Sequence, residues 1–302
     1  MKFKIDEIAA GVHPRDGHRK IFVMIDVYLD ESGIHAGAPV CSIAGYVGGK
    51  GQFRKLETAW LRVLYDFGVP LEKFHTKDLI PRPHGYFEGW DTAKRDALLG
   101  KLTDAVAAHK KIHPVSSTVI LNDFNALTLP QKKLFTGARL DDRNEFITTG
   151  CPNKPYFLPF MDVVRNAVSY CPHDPTARVH FACGVDRPFA EYAATLYNDI
   201  IENWQSADWK DKLGDISFPL AKKTPQLQAA DLLVNLTYHH AIARLNDGKW
   251  DEVMPPELLQ KCLSSLRVID DHKVFNREYF QSALADSYRK QPGWDVQQTS
   301  SW

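Results

Sequence analysis

Hydrophobic and polar positions along the chain follow two periods. "IFVMIDVYLD", Ile21 to Asp30, is an apolar run rich in β-branched and aromatic residues, which predicts a buried strand. "APVCSIAGYVGG" follows a Gly-containing turn and predicts a second strand, so that the two form a hairpin. Phe53, Leu56, Trp60, Leu64 and Phe67 then recur at three or four residues, the spacing of one helix face. Asp91 suits the cap of a helix from Thr92 to about His109, and "PVSSTVIL" predicts a third strand. Residues 122–155 are broken by Pro, Asn and Gly and predict a loop or short helices on one side of the domain. Tyr156 to Tyr170 predicts a helix, "ARVHFACGVD" a strand ending at Asp186, Phe189 to Trp204 a helix, and "GDISFPL" a short strand. "TPQLQAADLLVNLTYHHAIARL" is the strongest helix, with Thr224 as cap and Pro225 at its first position. One or two helices are expected over 256–288, and "KQPGWDVQQTSSW" reads as a flexible tail. A hairpin followed by alternating strands and helices argues for an α/β or α+β domain with a mixed sheet.

Composition narrows the function classes only a little. The 302 residues suit one large domain or two small ones. Lys plus Arg and Asp plus Glu both number 37, so no bulk basic field points to nucleic acid or an anionic membrane. A local patch would still suffice for nucleic acid. Five widely spaced cysteines are an odd number for a disulfide framework and read as reduced, which suits a cytoplasmic protein. No apolar run approaches the roughly 20 residues of a membrane span, so no membrane partner is expected. The first 20 residues, "MKFKIDEIAAGVHPRDGHRK", lack the apolar stretch of a signal peptide.

The candidate chemistry lies in carboxylates set among apolar residues. On the helix beginning at Pro225, Gln228, Asp231, Asn235 and His239 fall in one narrow sector of an otherwise apolar cylinder. A buried carboxylate costs several kcal/mol without a partner, and no Lys or Arg lies one turn from Asp231. Its partner is then a metal, a distant Arg, or backbone donors from a loop. A structural Asp that simply accepts hydrogen bonds carries equal weight. Asp30 closes the first apolar strand and shares a face with Phe22, Met24, Asp26 and Tyr28. Glu31 falls on the opposite face, so the two carboxylates meet in one site only if the strand ends between them. Asp186 closes another apolar strand, although "GVDRP" also reads as a plain turn. Two strand-end carboxylates and one helix carboxylate can converge at one sheet edge. That donor set suits a hard cation, Mg²⁺ or Mn²⁺, and a pair of such ions suits phosphodiester hydrolysis. His75, in "KFHTKDL", is a metal ligand, an acid/base or an orienting donor, or else an ordinary loop histidine. Lys77 and Asp78 stand beside it, and Lys222 and Lys223 precede the Asp231 helix, where lysines are usually only solvated. Zinc spacing, a nucleophile elbow and a glycine-rich phosphate loop are all missing from the sequence.

"YLDESG", "FHTKDL", the strand ending at Asp186 and "PQLQAADLLVNLTYHH" occur in the order and spacing of the family called domain of unknown function 3800, which the chain resembles over roughly 22–245. The resemblance implies an RNase H-like mixed β-sheet flanked by helices, an α/β class, with C-terminal helical additions. It divides the chain into a lead-in over 1–20, a domain over 21–245 with 122–155 as an insertion, and C-terminal helices and tail over 246–302. It matches Asp30 and Glu31 to the first acidic motif, His75 to the His motif and Asp231 to the late acidic helix; "CGVDRP" around Asp186 departs from the commoner form. The expectation is therefore a nuclease or related phosphodiester hydrolase with Asp30, Glu31, His75, Asp186 and Asp231 as catalytic residues. Asp30, Asp186 and Asp231 would hold Mg²⁺ or Mn²⁺, with RNA or DNA as the partner. A non-catalytic binding or assembly module, or a hydrolase of a small phosphorylated substrate, are the rival readings. Oligomeric state is not encoded in any of these signals.

Overall fold

β1 (Met24–Ser32) meets an apolar layer on each face because it lies inside a sheet that helices cover on both sides. Its Val27 and Leu29 enter one apolar layer, while Tyr28 packs against the other. The computed structural model describes residues 24–80, 84–141, 143, 145–172, 174, 176–184, 187–203, 209–245, 256–268 and 272–291. The lead-in over 1–20, the first three strand positions from Ile21, Asp186 and most of the tail lie outside the described residues.

β2 (Val40–Gly49) follows β1 and pairs with it antiparallel, the hairpin expected from the two apolar runs. Gly33 opens the connection with a φ of +81°, and a Cβ there would stand 2.0 Å from the Val40 carbonyl oxygen, so the turn needs glycine. α1 (Lys50–Asp66) buries Phe53, Leu56, Trp60 and Leu64, the residues whose spacing predicted it. The four-residue α2 (Thr76–Leu79) lies in the Pro-rich loop, and α3 (Thr92–Ala107) is capped by Asp91, which accepts from the Lys94 N–H. β3 (Ile112–Ile120) follows, then α4 (Leu121–Asn125), α5 (Leu129–Gly137) and a small hairpin of β4 (Arg139–Leu140) and β5 (Phe146–Ile147). α6 (Phe157–Ser169), β6 (Arg178–Gly184), α7 (Arg187–Asn203) and β7 (Leu213–Ser217) complete the alternating part. α8 (Pro225–Leu245) is buried over most of its length. The Thr224 carbonyl accepts its first backbone bonds, while the Thr224 hydroxyl turns back to the Leu220 carbonyl. α9 (Pro256–Ser265) and α10 (Arg277–Lys290) occupy the expected C-terminal helical region, with the three-residue β8 (Lys273–Phe275) between them.

The main sheet has the order β7-β6-β1-β2-β3-β8. β2 runs antiparallel to both neighbours, whereas β1, β6 and β7 are mutually parallel and β8 is parallel to β3. Leaving out β8, the first three strands form a meander and the next two extend the sheet from the other side of β1, each parallel to it. This is the RNase H-like arrangement, a mixed sheet flanked by helices. One face packs against α4, α5, α6, α7 and α10, and the other against α1, α3, α8 and α9. No helix among the described residues is long and apolar enough to cross a membrane.

The topology also places a crevice. β1 is reached by a hairpin on the β2 side and by a crossover on the β6 side, so the direction of winding reverses there. In open α/β sheets, ligands bind outside the carboxyl ends of strands at such a reversal. Asp30 stands at that end of β1.

Candidate active site

Asp30 and Gly184 are register partners at the carboxyl ends of β1 and β6. A Cβ on Gly184 would stand 3.1 Å from Asp30 Oδ1, so the glycine leaves the carboxyl its space. The Glu31 N–H donates to Asp30 Oδ1 at 3.0 Å. The sequence puts Glu31 on the strand face opposite Asp30. β1 runs on to Ser32, and the Glu31 charge is near enough to Asp30 to raise its pKa. The same charge is felt by Cys41, Cys183 and Tyr156, all members of the apolar layer that Leu29 enters.

Asp231 sits on the buried face of α8, only 7% exposed. Its Oδ2 accepts the Thr76 N–H at 2.7 Å. Thr76 is the first residue of α2, whose early N–H groups have no partner within the helix. The helix-borne carboxylate thus supplies what the loop lacks, one of the partners expected from burial. Its Oδ1 faces His75 Nε2 at 3.8 Å. His75 Nδ1 lies 3.4 Å from Asp78 Oδ1, and His84 Nε2 lies 2.9 Å from that same oxygen. A line of polar groups therefore runs from Asp231 through His75 and Asp78 to the more exposed His84.

The electrostatics join the two ends of the chain. Burial raises the Asp30 pKa well above the ordinary carboxyl range, and the charges of Glu31 and then Asp231 raise it further. No cation among the described residues offsets them. The rest of the α8 polar stripe divides in two. Gln228 is fully used: it accepts from Trp60 Nε1–H at 3.1 Å and donates to the Leu71 carbonyl at 2.6 Å. Asn235, one turn beyond Asp231, is 8% exposed, and its Oδ1 has no partner among the described residues.

The structure thus brings Asp30, Glu31, His75 and Asp231 to one region, while Asp186 lies outside the described residues. Lys222 and Lys223 are exposed in a turn before α8. Asp78 was noticed in the sequence only as a neighbour of His75. His84 was missed, because nothing in "RPHGYF" marks its histidine as different from a surface one.

As a cation site, the donor set has the right chemistry: carboxyl oxygens whose mutual repulsion is unrelieved, and a buried amide oxygen without a partner nearby along α8. Among the described residues, no three His, Cys, Asp or Glu side chains are drawn into a ready-made metal cluster. The groups that fit a hard divalent ion are Asp30 and Asp231.

No family model matches the chain, and no curated protein matches it. Among solved structures it is similar to Bst-RNase HIII in complex with Mn²⁺, at 11% identity and a TM-score of 0.38, over 89% of this chain and 68% of that one. It is also similar to the PCNA:RNase HII complex from Archaeoglobus fulgidus, at 12% identity and a TM-score of 0.33, over 81% of this chain and 91% of that one.

Proposed function

We propose that this chain is a divalent-metal-dependent phosphodiester hydrolase, most directly a nuclease, built on the RNase H-like sheet and related to the family called domain of unknown function 3800. The observation that carries the reading is the convergence of Asp30 and Asp231. Strand and late helix deliver two carboxyls to the winding reversal of the sheet, where the Asp231 charge adds to the cost of ionising Asp30 and no basic side chain among the described residues offsets it.

Asp30 and Asp231 would hold Mg²⁺ or Mn²⁺, with Asp186 as a third carboxylate in the proposal. When bound, the ion supplies charge neutralisation and activation of water for attack on phosphorus. The chain's own residues do the remainder. Glu31 would orient Asp30 through its backbone N–H, which donates to Asp30 Oδ1. Thr76 fixes Asp231 through its backbone N–H, leaving Oδ1 turned to the site. His75, partly exposed, accepts or delivers a proton or meets a phosphate oxygen. The nucleic acid partner, RNA or DNA, belongs to this same proposal.

The test is cleavage of single-stranded RNA, DNA and RNA–DNA hybrid by the purified chain across a titration of Mg²⁺ and Mn²⁺. Cleavage should require the ion, vanish in Asp30→Asn and Asp231→Asn, and fall by about 100-fold or more in His75→Ala. Cleavage that persists unchanged in Asp30→Asn refutes the site.

A further inference from the structure

We propose that Asp78 and His84 are positioning residues that fix the imidazole of His75, so that its Nδ1–H is held by Asp78 and its Nε2 lone pair faces Asp231. The functional meaning of this arrangement rests on the phosphodiesterase reading, but the arrangement itself does not.

The argument is one of donors and acceptors. An ionised carboxylate only accepts hydrogen bonds. Asp78 Oδ1 is approached by two imidazole nitrogens, His84 Nε2 at 2.9 Å and His75 Nδ1 at 3.4 Å. Each must carry its hydrogen to make that contact. A neutral imidazole has one N–H, so a hydrogen on Nδ1 of His75 leaves its Nε2 bare. That nitrogen looks across 3.8 Å to Asp231 Oδ1, too far for a direct hydrogen bond. Two acceptors face each other over a gap that suits one group donating to both, such as a water molecule. Asp231 cannot turn away, because its Oδ2 is engaged by the Thr76 N–H at 2.7 Å.

The backbone keeps this set in place. His75 is the residue before α2 and Asp78 lies within it, so the i to i+3 spacing puts both on one side of a single turn. The His84 N–H donates to the Asp78 carbonyl at 3.0 Å, so His84 is tied to Asp78 through main chain and side chain together. Side-chain exposure along the row is 10% for Asp231, 39% for His75, 28% for Asp78 and 60% for His84. His75 is therefore the member that both reaches the buried carboxylate and remains open to a substrate. Held this way, it accepts a hydrogen bond at Nε2 rather than offering one.

The tautomer can be read directly by long-range ¹H–¹⁵N correlation spectra of the ¹⁵N-labelled full chain above the imidazole titration range, with His75 assigned by its loss in His75→Gln. The expected result is the Nδ1–H form for His75, opposite to the Nε2–H form that free imidazole side chains favour. Asp78→Ala should return the ring to Nε2–H and lower kcat by about 10- to 100-fold with little change in KM; Asp78→Asn, which keeps an acceptor oxygen, should restore part of both. A Nε2–H ring in the parent protein overturns the proposal even if Asp78→Ala does not fold. So does an unchanged tautomer in Asp78→Ala. A parent protein that shows Nδ1–H but cleaves no phosphodiester leaves the positioning intact and removes the nuclease reading instead.

Discussion

Asp30 keeps its proton to higher pH than a free carboxyl, first through burial and then through Glu31 and Asp231. The sign for stability follows from linkage. The unfolded chain releases this proton from about pH 4 upward, while the folded chain still holds it. Stability therefore falls as pH rises from that range to the raised value of Asp30, and the loss is complete above it. Asp30→Asn removes the loss. In the presence of a chelator the variant should melt higher than the parent at pH 7, with the difference closing toward pH 4. Mn²⁺ should raise the melting temperature of the parent and leave that of the variant where it was. A variant that is no more stable at pH 7 would show that Asp30 is not burdened by its neighbours. His272 carries the opposite pH slope. Burial first, and then His240 and Arg244, lower its pKa to about 4, while its Nδ1 stays within 2.8 Å of Ser116 Oγ. The unfolded chain takes up a proton below about pH 6.5 that the folded chain refuses, so stability drops as pH falls from 6.5 to 4, by about 3 kcal/mol in all. Urea melts of His272→Asn over that range should be flatter than those of the parent, and an equal slope in both would exclude His272 as the cause.

At the scale of elements, α8 shows how one polar stripe holds two different roles. Gln228→Leu strands the Trp60 indole N–H and the Leu71 carbonyl in the core, which should cost about 1–3 kcal/mol of unfolding free energy. Asn235→Leu removes a buried oxygen that has no partner among the described residues, so in chelator it should be neutral or stabilising. Denaturant midpoints of the two variants check both signs; a loss in Asn235→Leu equal to that in Gln228→Leu would mean that Asn235 is structurally satisfied. From sequence alone the four residues of this stripe looked alike, because spacing reports a shared face and not what covers it. The helices with strong apolar spacing, such as α1, and the hairpin of β1 and β2 were legible for the same reason that they are stable: their pattern matches the face they bury. β8 was not legible, since three residues are too short to show a period, and its pairing with Ser117 to Val119 of β3 is set by tertiary contact. Asp30 and Asp231 were legible as carboxylates in apolar company. The effect of the Glu31 charge on Asp30 was not, because strand alternation sorts side chains to faces and does not say which charges are felt across them. His84 was hidden in a Pro-rich loop whose path only the folded chain defines.

For the molecule as a whole, equal numbers of acidic and basic residues set how it can meet a polyanion. There is no net attraction to draw a nucleic acid in from a distance, and the candidate site is itself acidic. Binding would then rest on a divalent ion at the carboxyls and on a few local cations, of which Lys222 and Lys223 ahead of α8 are exposed. In counterion terms, each phosphate contacted on a single strand adds about 0.7 to the slope of log K against log salt. Two or three such contacts give a slope of about −1.4 to −2, or a loss in affinity of about tenfold from 50 to 200 mM KCl. A 20-mer phosphorothioate strand, followed by fluorescence anisotropy with Mn²⁺ present, measures this without cleavage. A slope steeper than about −4 would require a continuous basic track and would move the centre of recognition away from the carboxyls. With a shallow slope, removal of the divalent ion should weaken binding more than a doubling of the salt does, because in the proposed site the ion would reverse the sign of charge at the carboxyls that a strand has to approach.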